Sequence, residues 1–425
     1  MTTSARLPLR ESSRSLSILV VSPHLPYPPE WGFTKRAFHL IEALASRHRV
    51  TVLSYVFPDQ DLASAQLADQ VHELVAISRP LAADKRMHQL LSLASSTPFH
   101  ARHLSGEDFQ RALDDLLARK AFDVILVESS QLGWLTLPRT IPVVVDEHNI
   151  ESELLGRMAR TEDSVGRRLY NSWESRRYRA FEKRVWESSS ACSATSQRDV
   201  DTIARECPSQ RVMVVPNGVA ADTFVPSGIP ATPGSIVFAG VLRYRPNMDG
   251  IRWFLDEVFP LVRRARPDVH LTVVGGGSPD ALQSLRGPGV TVTGWVPDIL
   301  PFLDSAEVAV VPLRMGGGTR LKVLEAMSAR KAIVSTSLGA EGVEVTSGEQ
   351  LLLADDRCAF ADAIVRLLDD PGLRDRMGGA ARDRVLSRYL WQHSAAALES
   401  LFLDLVDAEK AGTRPSIAAA DRSGR

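Results

Sequence analysis

"AEVAVVPLRMGGGTRLKVLEAMSARKAIVST", residues 306–336, holds a strand, a glycine loop, a helix and a second strand in 31 residues. The apolar runs "AEVAVVPL" (306–313) and "KAIVST" (331–336) have the length and the Val/Ile content of buried strands. Between them the segment with Thr319, Arg320, Lys322 and Glu325 reads as a helix, and a strand–helix–strand crossover makes the two strands parallel neighbours. Gly316, Gly317 and Gly318 fall at the carboxyl end of the first strand, directly before the helix. Glycine lets a ligand lie against main-chain N–H groups, and a helix start adds unpaired donors and partial positive charge, which together suit phosphate. G-x-x-x-x-G-K-[ST] fits no register from Gly316 to Lys322, so the loop is not a P-loop. A plain chain-reversing glycine turn is the other reading, and these residues alone leave both open.

The same alternation extends outward in both directions. "SIVFAGV" (235–241), "VHLTVVG" (269–275) and "GVTVTGW" (289–295) precede it as strands. In the first half "LSILVVS" (16–22), "RVTVLSYV" (49–56), "FDVILVE" (122–128), "IPVVVDE" (141–147) and "SSACSAT" (189–195) repeat it. Near-continuous apolar strands imply sheets covered by helices on both faces. Between the halves "VVPNGVAADTFVPSGIPATPGS" (214–235) is dense in Pro, Gly and Ala. The expected fold is α/β, with two doubly wound, parallel-sheet Rossmann-like domains facing a central cleft at the carboxyl ends of their strands. The expected boundaries are a disordered lead-in at 1–15, a first domain at 16–214, a linker at 215–234 and a second domain at 235–387. A helix at 388–410, with Trp391, Leu398, Leu401 and Leu405 on one face, folds back on the first domain, and a disordered tail closes the chain at 411–425.

A chain of 425 residues is too long for one ordinary core, in keeping with two domains. The net charge of −1 gives no reason to expect nucleic acid as a partner. Only seven of the 50 basic residues are lysines, which sets Lys322 apart slightly. Cys192, Cys207 and Cys358 offer neither C-x-x-C spacing nor an even count, so no disulfide framework or zinc site is expected, and a reducing cytoplasm fits. No apolar run approaches the ~18 residues of a membrane span. The arginine-rich stretch 157–188 reads as surface helix; its second reading is an interfacial helix near a membrane with a lipid-linked acceptor, so peripheral membrane contact stays open.

Helical spacing puts Thr319, Lys322 and Glu325 along one face, each step ~4.5 Å further from the glycines. A phosphate on the loop would meet Lys322 first, with Arg320 and the amides beside it. Glu325, a turn deeper, could accept from two vicinal hydroxyls; the alternative is an exposed Lys–Glu pair.

Taken together, "GGGTRLKVLEAMSARKAIVST", "PYPPEWGFTKRAFHLIEALASRHRVTVL", "VVVDEHNIES", "VVPNGVAADTF", "AGVLRYRPNMDGIRWF", "VVGGG" and "TGWVPDILPFL" resemble, in order and over most of residues 16–390, the retaining family-4 glycosyltransferases of GT-B architecture. The resemblance implies a nucleotide-diphospho-sugar donor on the second domain, a hydroxyl acceptor on the first, and no cofactor or metal. Glu325 matches the ribose-holding glutamate. Lys322 and Arg320 fall at the diphosphate, with Gly316, Gly317, Gly318, Thr319 and Leu321 around it. Arg243 and Arg245 lie where such enzymes keep phosphate-binding cations, and Trp295 and Val296 lie near the base. His148 matches a histidine beside the reacting sugar, while His24, His39, His48, His72, His88, His100 and His103 are read as structural.

Two positions depart from the family pattern. Gly317 stands where many members carry a glutamate near the donor sugar, and Gly32 is followed by Phe33 where a second glycine is usual. Gly32 then keeps one backbone donor, and Trp31 and Phe33 either line the acceptor site or pack under a Pro-rich loop. D-x-D at Asp59–Asp61 and Asp199–Asp201 reads as solvated surface. Function is thus expected to be retaining, metal-independent transfer of a sugar to a polysaccharide, glycolipid or small natural product. The alternatives are a catalytically weak sugar-nucleotide-binding partner subunit and a Rossmann-type NAD oxidoreductase. The second fails at "VVGGGSPD", where Asp280 takes the place of the third glycine.

Overall fold

The structure is a computed structural model that describes residues 14–57, 66–79, 97–160, 162 and 164–412. The lead-in through residue 13, Asp59–Asp61, His88 and the tail from 413 lie outside the described residues. The chain forms two compact units, 1–156 with 169–215 and 392–425, and 157–168 with 216–391.

Seven strands make the sheet of the first unit: β1 (Ser17–Ser22), β2 (Arg49–Val56), β3 (Glu73–Ser78), β4 (Val124–Glu128), β5 (Val143–Glu147), β6 (Ala191–Ala194) and β7 (Val212–Val214). Their order is β3-β2-β1-β4-β5-β6-β7, all parallel. β1 is central, with Ile18 opposite Val50 on one side and Val124 on the other. Ile18, Leu19, Val20 and Val21 are fully covered, as strands between two helical layers must be. β3 and β7 are absent from the sequence reading. Both are edge strands, one only half-buried and one three residues long and half-buried throughout.

The second unit repeats the plan with β8 (Ser235–Ala239), β9 (His270–Val274), β10 (Val290–Gly294), β11 (Val308–Val311), β12 (Ala332–Ser335) and the two-residue β13 (Leu352–Leu353). The order β10-β9-β8-β11-β12-β13 is again parallel throughout. In both sheets the order reverses between the first and fourth strands, and the crevice outside the carboxyl ends there is the usual ligand position of such sheets. In the second unit that crevice is flanked by Gly240, after β8, and the glycine loop, after β11.

Residues 216–234 are built into the second unit. The Val219 N–H donates to the Tyr389 carbonyl at 2.8 Å, Val219 and Phe224 join the hydrophobic core, and a side chain on Gly218 would strike the Trp391 backbone. The final long helix, Trp391–Lys410, belongs to the first unit from Gln392 on. There Arg47 pairs with Glu399 at 2.8 Å and Arg211 with Asp404 at 2.7 Å. No helix among the described residues is long and apolar enough to cross a membrane.

Candidate active site

In the second unit the glycine loop leads into a helix over Leu321–Ser328, not one starting at Thr319. Thr319 and Arg320 are loop residues: the Asn217 amide donates to the Thr319 carbonyl at 3.3 Å, and Thr319 Oγ1 faces the Gly342 carbonyl. Gly316 and Gly318 have φ of 128° and 66°, which only glycine adopts without strain. A Cβ on Gly316 would also lie 2.9 Å from the Arg320 guanidinium, which curls back to donate to the Gly317 carbonyl. Arg157, from the segment of the first half that belongs to this unit, donates to the Gly316 carbonyl at 2.6 Å and holds Glu341 through both nitrogens, at 2.7 and 3.0 Å. The loop is therefore a braced turn whose carbonyls are taken up by arginines.

Lys322 lies in the first turn of that helix, half-buried, with Nζ 2.7 Å from Asn247 Oδ1 and 4.6 Å from the centre of the Phe238 ring. Among the described residues its ammonium has no carboxylate partner at ion-pair distance. Burial, and then the neighbouring Arg320 charge, pull its pKa down to about 7 from the ordinary lysine value, and Glu325 opposes them only in part. A cation held at this cost favours an incoming anion. Gly240 makes room for it, since a Cβ there would lie 2.5 Å from Lys322 Nζ. Glu325 is buried a turn further on, and Leu321 and Val296 pack on the hydrophobic core. Trp295 is 64% exposed beyond β10, its Cβ 3.4 Å from where a side chain on Gly276 would begin. Arg243 is exposed, while Arg245 donates to Glu162 at 2.8 Å.

In the first unit the loop after β5 presents His148. Its Nε2 lies 2.6 Å from Glu128 Oε2 and 3.5 Å from Asp146 Oδ2, its ring stacks on Phe33 at 4.4 Å, and Nδ1 has no partner among the described residues. Arg36, fully buried, grips Asp146 with two 2.7 Å hydrogen bonds, and Ser193 Oγ adds a third at 2.6 Å. Burial works to raise the Asp146 carboxyl, but the Arg36 guanidinium overrides it and the pKa stays below the usual carboxylate range. Glu128 goes the other way: burial raises it, and the His148 contact returns only part of that. Ligand atoms of Glu128, Asp146 and His148 lie within 4.8 Å of one another, a spacing open to a metal ion, yet Arg36 already supplies a cation to Asp146. Trp31 and Gly32 are exposed at the start of the helix Gly32–Ala45, and Trp31, Phe33 and His24 form one aromatic layer.

Sequence reading missed Arg36, Glu128, Arg157, Gly240, Asn247 and Glu341. Gly240 and Asn247 lie in the quoted stretch "AGVLRYRPNMDG", where the position of a glycine at a strand's carboxyl end was the available signal. Asp199 needs a correction as well. Expected on solvated surface, it is buried in the first turn of the helix Gln197–Glu206 that follows β6, accepting from Ser196 Oγ at 2.8 Å, while Asp201 is exposed as expected.

The profile described as "Glycosyl transferases group 1" matches residues 233–370, and that described as "Glycosyl transferase 4-like domain" matches residues 32–218. With two Rossmann-like sheets this is the make-up of a GT-B glycosyltransferase. The chain belongs to the group 1, family-4-like glycosyltransferases. An uncharacterized 44.6 kDa protein in the cps region of Klebsiella pneumoniae is 23% identical over 82% of this chain and 90% of its own length. The phosphatidyl-myo-inositol mannosyltransferase of Mycobacterium leprae is 31% identical over 44% of this chain, which spans 52% of that protein. Sucrose-phosphate synthase from Thermosynechococcus elongatus shares the fold with a TM-score of 0.71 at 20% identity, over 93% of this chain and all of that one. Anabaena HepE, solved with UDP and glucose, gives 0.62 at 14% identity over 91% of this chain and 99% of its own.

Proposed function

We propose that this glycosyltransferase moves a hexosyl group from a nucleoside-diphosphate sugar to an acceptor hydroxyl, with retention at the anomeric carbon and without a metal ion. The observation that carries this reading is Lys322: a half-buried ammonium hydrogen-bonded to a neutral amide, beside Arg320, at the mouth of a glycine loop. The diphosphate takes the place of the missing counter-charge, Glu325 accepts from the ribose, and the exposed face of Trp295 stacks near the base. The first unit supplies the acceptor side, with His148, Phe33, Trp31 and the exposed N–H of Gly32.

With Gly317 at the usual glutamate position, the site offers no obvious covalent nucleophile. Front-face displacement is the route that fits. The acceptor oxygen attacks the anomeric carbon from the side of the departing diphosphate, the bond to the diphosphate oxygen breaks, and that oxygen takes the acceptor's proton. Lys322 and Arg320 stabilise the charge that develops there. Acceptors of this chemistry include polysaccharide, glycolipid and small natural-product hydroxyls.

The test is a thermal-shift panel of nucleoside diphosphates in EDTA, followed by proton NMR of the first glycoside formed from the matching donor. The expected result is stabilisation in EDTA and an unchanged anomeric coupling. Stabilisation that needs manganese, or an inverted coupling, rejects the reading.

A further inference from the structure

The second sheet carries a second cationic feature at its opposite edge. A depression of about 530 Å³ is lined by Arg252, Arg263, Arg264 and Arg286, with Leu255 and Pro260 as apolar wall and Asp256 as its one acid. Its residues come from the helices that follow β8 and from the turns entering β9 and β10. It therefore opens at the amino ends of strands whose carboxyl ends face the glycine loop, some ~16 Å away along a five-residue strand.

Four features point to a ligand. The volume is within the ~300–1,000 Å³ of small-molecule sites. Among the described residues the side chains of Arg252, Arg264 and Arg286 have no hydrogen-bond or ion-pair partner, whereas Arg266 in the same segment is held by both Asp268 and Asp369. Arg263 is fixed by a 3.1 Å hydrogen bond from Nη1 to the Pro288 carbonyl, which holds its guanidinium in the lining. Four guanidinium groups against one carboxylate, Asp256, leave the lining with an excess of positive charge.

We infer that this depression is a second anion site, for a small phosphomonoester: Arg263, already anchored, presents a planar fork to the phosphate, Arg286 and Arg252 complete it, and the apolar wall carries the organic part. Guanidinium forks match phosphate oxygens two at a time, which suits this composition of arginine without lysine. The ligand is either a sugar phosphate or a nucleoside monophosphate, and the two differ in what they place on the wall.

Isothermal titration with glucose 6-phosphate, AMP, inorganic phosphate and sulfate, on the full chain, tests the inference. At least one ester is expected to bind more tightly than either inorganic anion, and equally well in Lys322→Ala, which removes the ammonium at the glycine loop. Arg263→Ala with Arg286→Ala should weaken it about tenfold or more, the loss of charged hydrogen-bond partners. Arg286→Ala alone, at an exposed position, should weaken it in the same direction and keeps the test valid if the double variant unfolds. Glucose 6-phosphate binding identifies a sugar-phosphate site and AMP binding a nucleotide one. Affinity no better than that of sulfate, indifference to Arg286→Ala, or loss in Lys322→Ala overturns the inference.

Discussion

Gly240 and Gly275 look alike in sequence, yet opposite consequences follow from what surrounds them. A methyl at 240 meets side-chain ends, Lys322 Nζ at 2.5 Å and the buried Asn247 amide at 2.9 Å; a methyl at 275 meets the Gly240 carbonyl at 2.0 Å, at a φ of 152°. Gly240→Ala, which displaces side chains, should lower the melting temperature less than Gly275→Ala, which meets backbone at a positive φ, and should weaken nucleoside-diphosphate binding; equal melting losses would refute the distinction. Lys322 also gives a protonic signature. Its pKa of about 7 in the free protein rises when an anion arrives, so above pH 7 binding takes up a proton and affinity falls as pH rises. Titration of a nucleoside diphosphate at pH 8 in buffers of different ionisation enthalpy should show that uptake, and Lys322→Met should abolish it. On the acceptor side, His148→Ala would leave the buried Glu128 carboxyl without its imidazole partner and confound folding with function. Glu128→Gln keeps shape and an acceptor. It should lower kcat by roughly 10–10³-fold with diphosphate affinity unchanged, as lost positioning does; a kcat within twofold of the parent would remove Glu128 from that role.

At the scale of elements, the helices Glu151–Arg160 and Val165–Ser188 enclose carboxyls that no cation among the described residues neutralises at close range. Glu147 accepts from Trp186 Nε1 at 2.7 Å and Glu182 from the Glu151 N–H at 2.7 Å, while Glu182 Oε2 and Tyr178 Oη have no partner among the described residues. Burial pushes Glu147 and Glu151 up to about 7 and Glu182 well above its usual range, and neighbouring carboxylates add to the rise of Glu147 and Glu182. A raised folded-state pKa means that the folded chain holds protons the unfolded chain has already lost. The stability from these groups is full below pH ~4.5 and is lost as pH climbs through ~7. Glu182→Gln retains the oxygen that accepts from Glu151 and removes the titration. Urea unfolding should then show a gain in stability at pH 8 that is absent or much smaller at pH 5; an equal effect at both pH values would contradict the linkage. Sequence could not reveal this cluster, because Glu147, Glu151 and Glu182 are an ordinary acidic scatter until the fold turns them inward. The central strands were legible from their double-sided apolar runs, and the glycine loop from its place after β11. The edge strands, the brace from Arg157 and the Arg36–Asp146 grip were not, since each depends on partners over 80 residues away or on a half-exposed face.

For the whole molecule, the chain's path decides what each unit needs in order to fold. The first unit is discontinuous: its sheet is complete by β7, but its helical cover ends with the final helix, about 180 residues later. That helix was visible in sequence as an apolar stripe. In the structure Leu398, Leu401, Phe402, Leu405 and Val406 are buried along it, with Glu399 held at the Arg47–His48 corner. Burying each such side chain is worth ~1.5–3 kcal/mol, and a domain's whole stability is roughly 5–15 kcal/mol. Losing five together therefore costs about as much as the whole stability of such a domain. The second unit ends at Trp391, whose backbone lies against Gly218, and keeps all its strands without the final helix. Removing residues 392–425 should accordingly abolish amide protection in β1, β2 and β4 while β8, β9 and β11 stay protected and still respond to a nucleoside diphosphate. Hydrogen-exchange mass spectrometry of the shortened chain reads both units at once; protection surviving in β1 would mean that the first sheet closes its core without the returning helix.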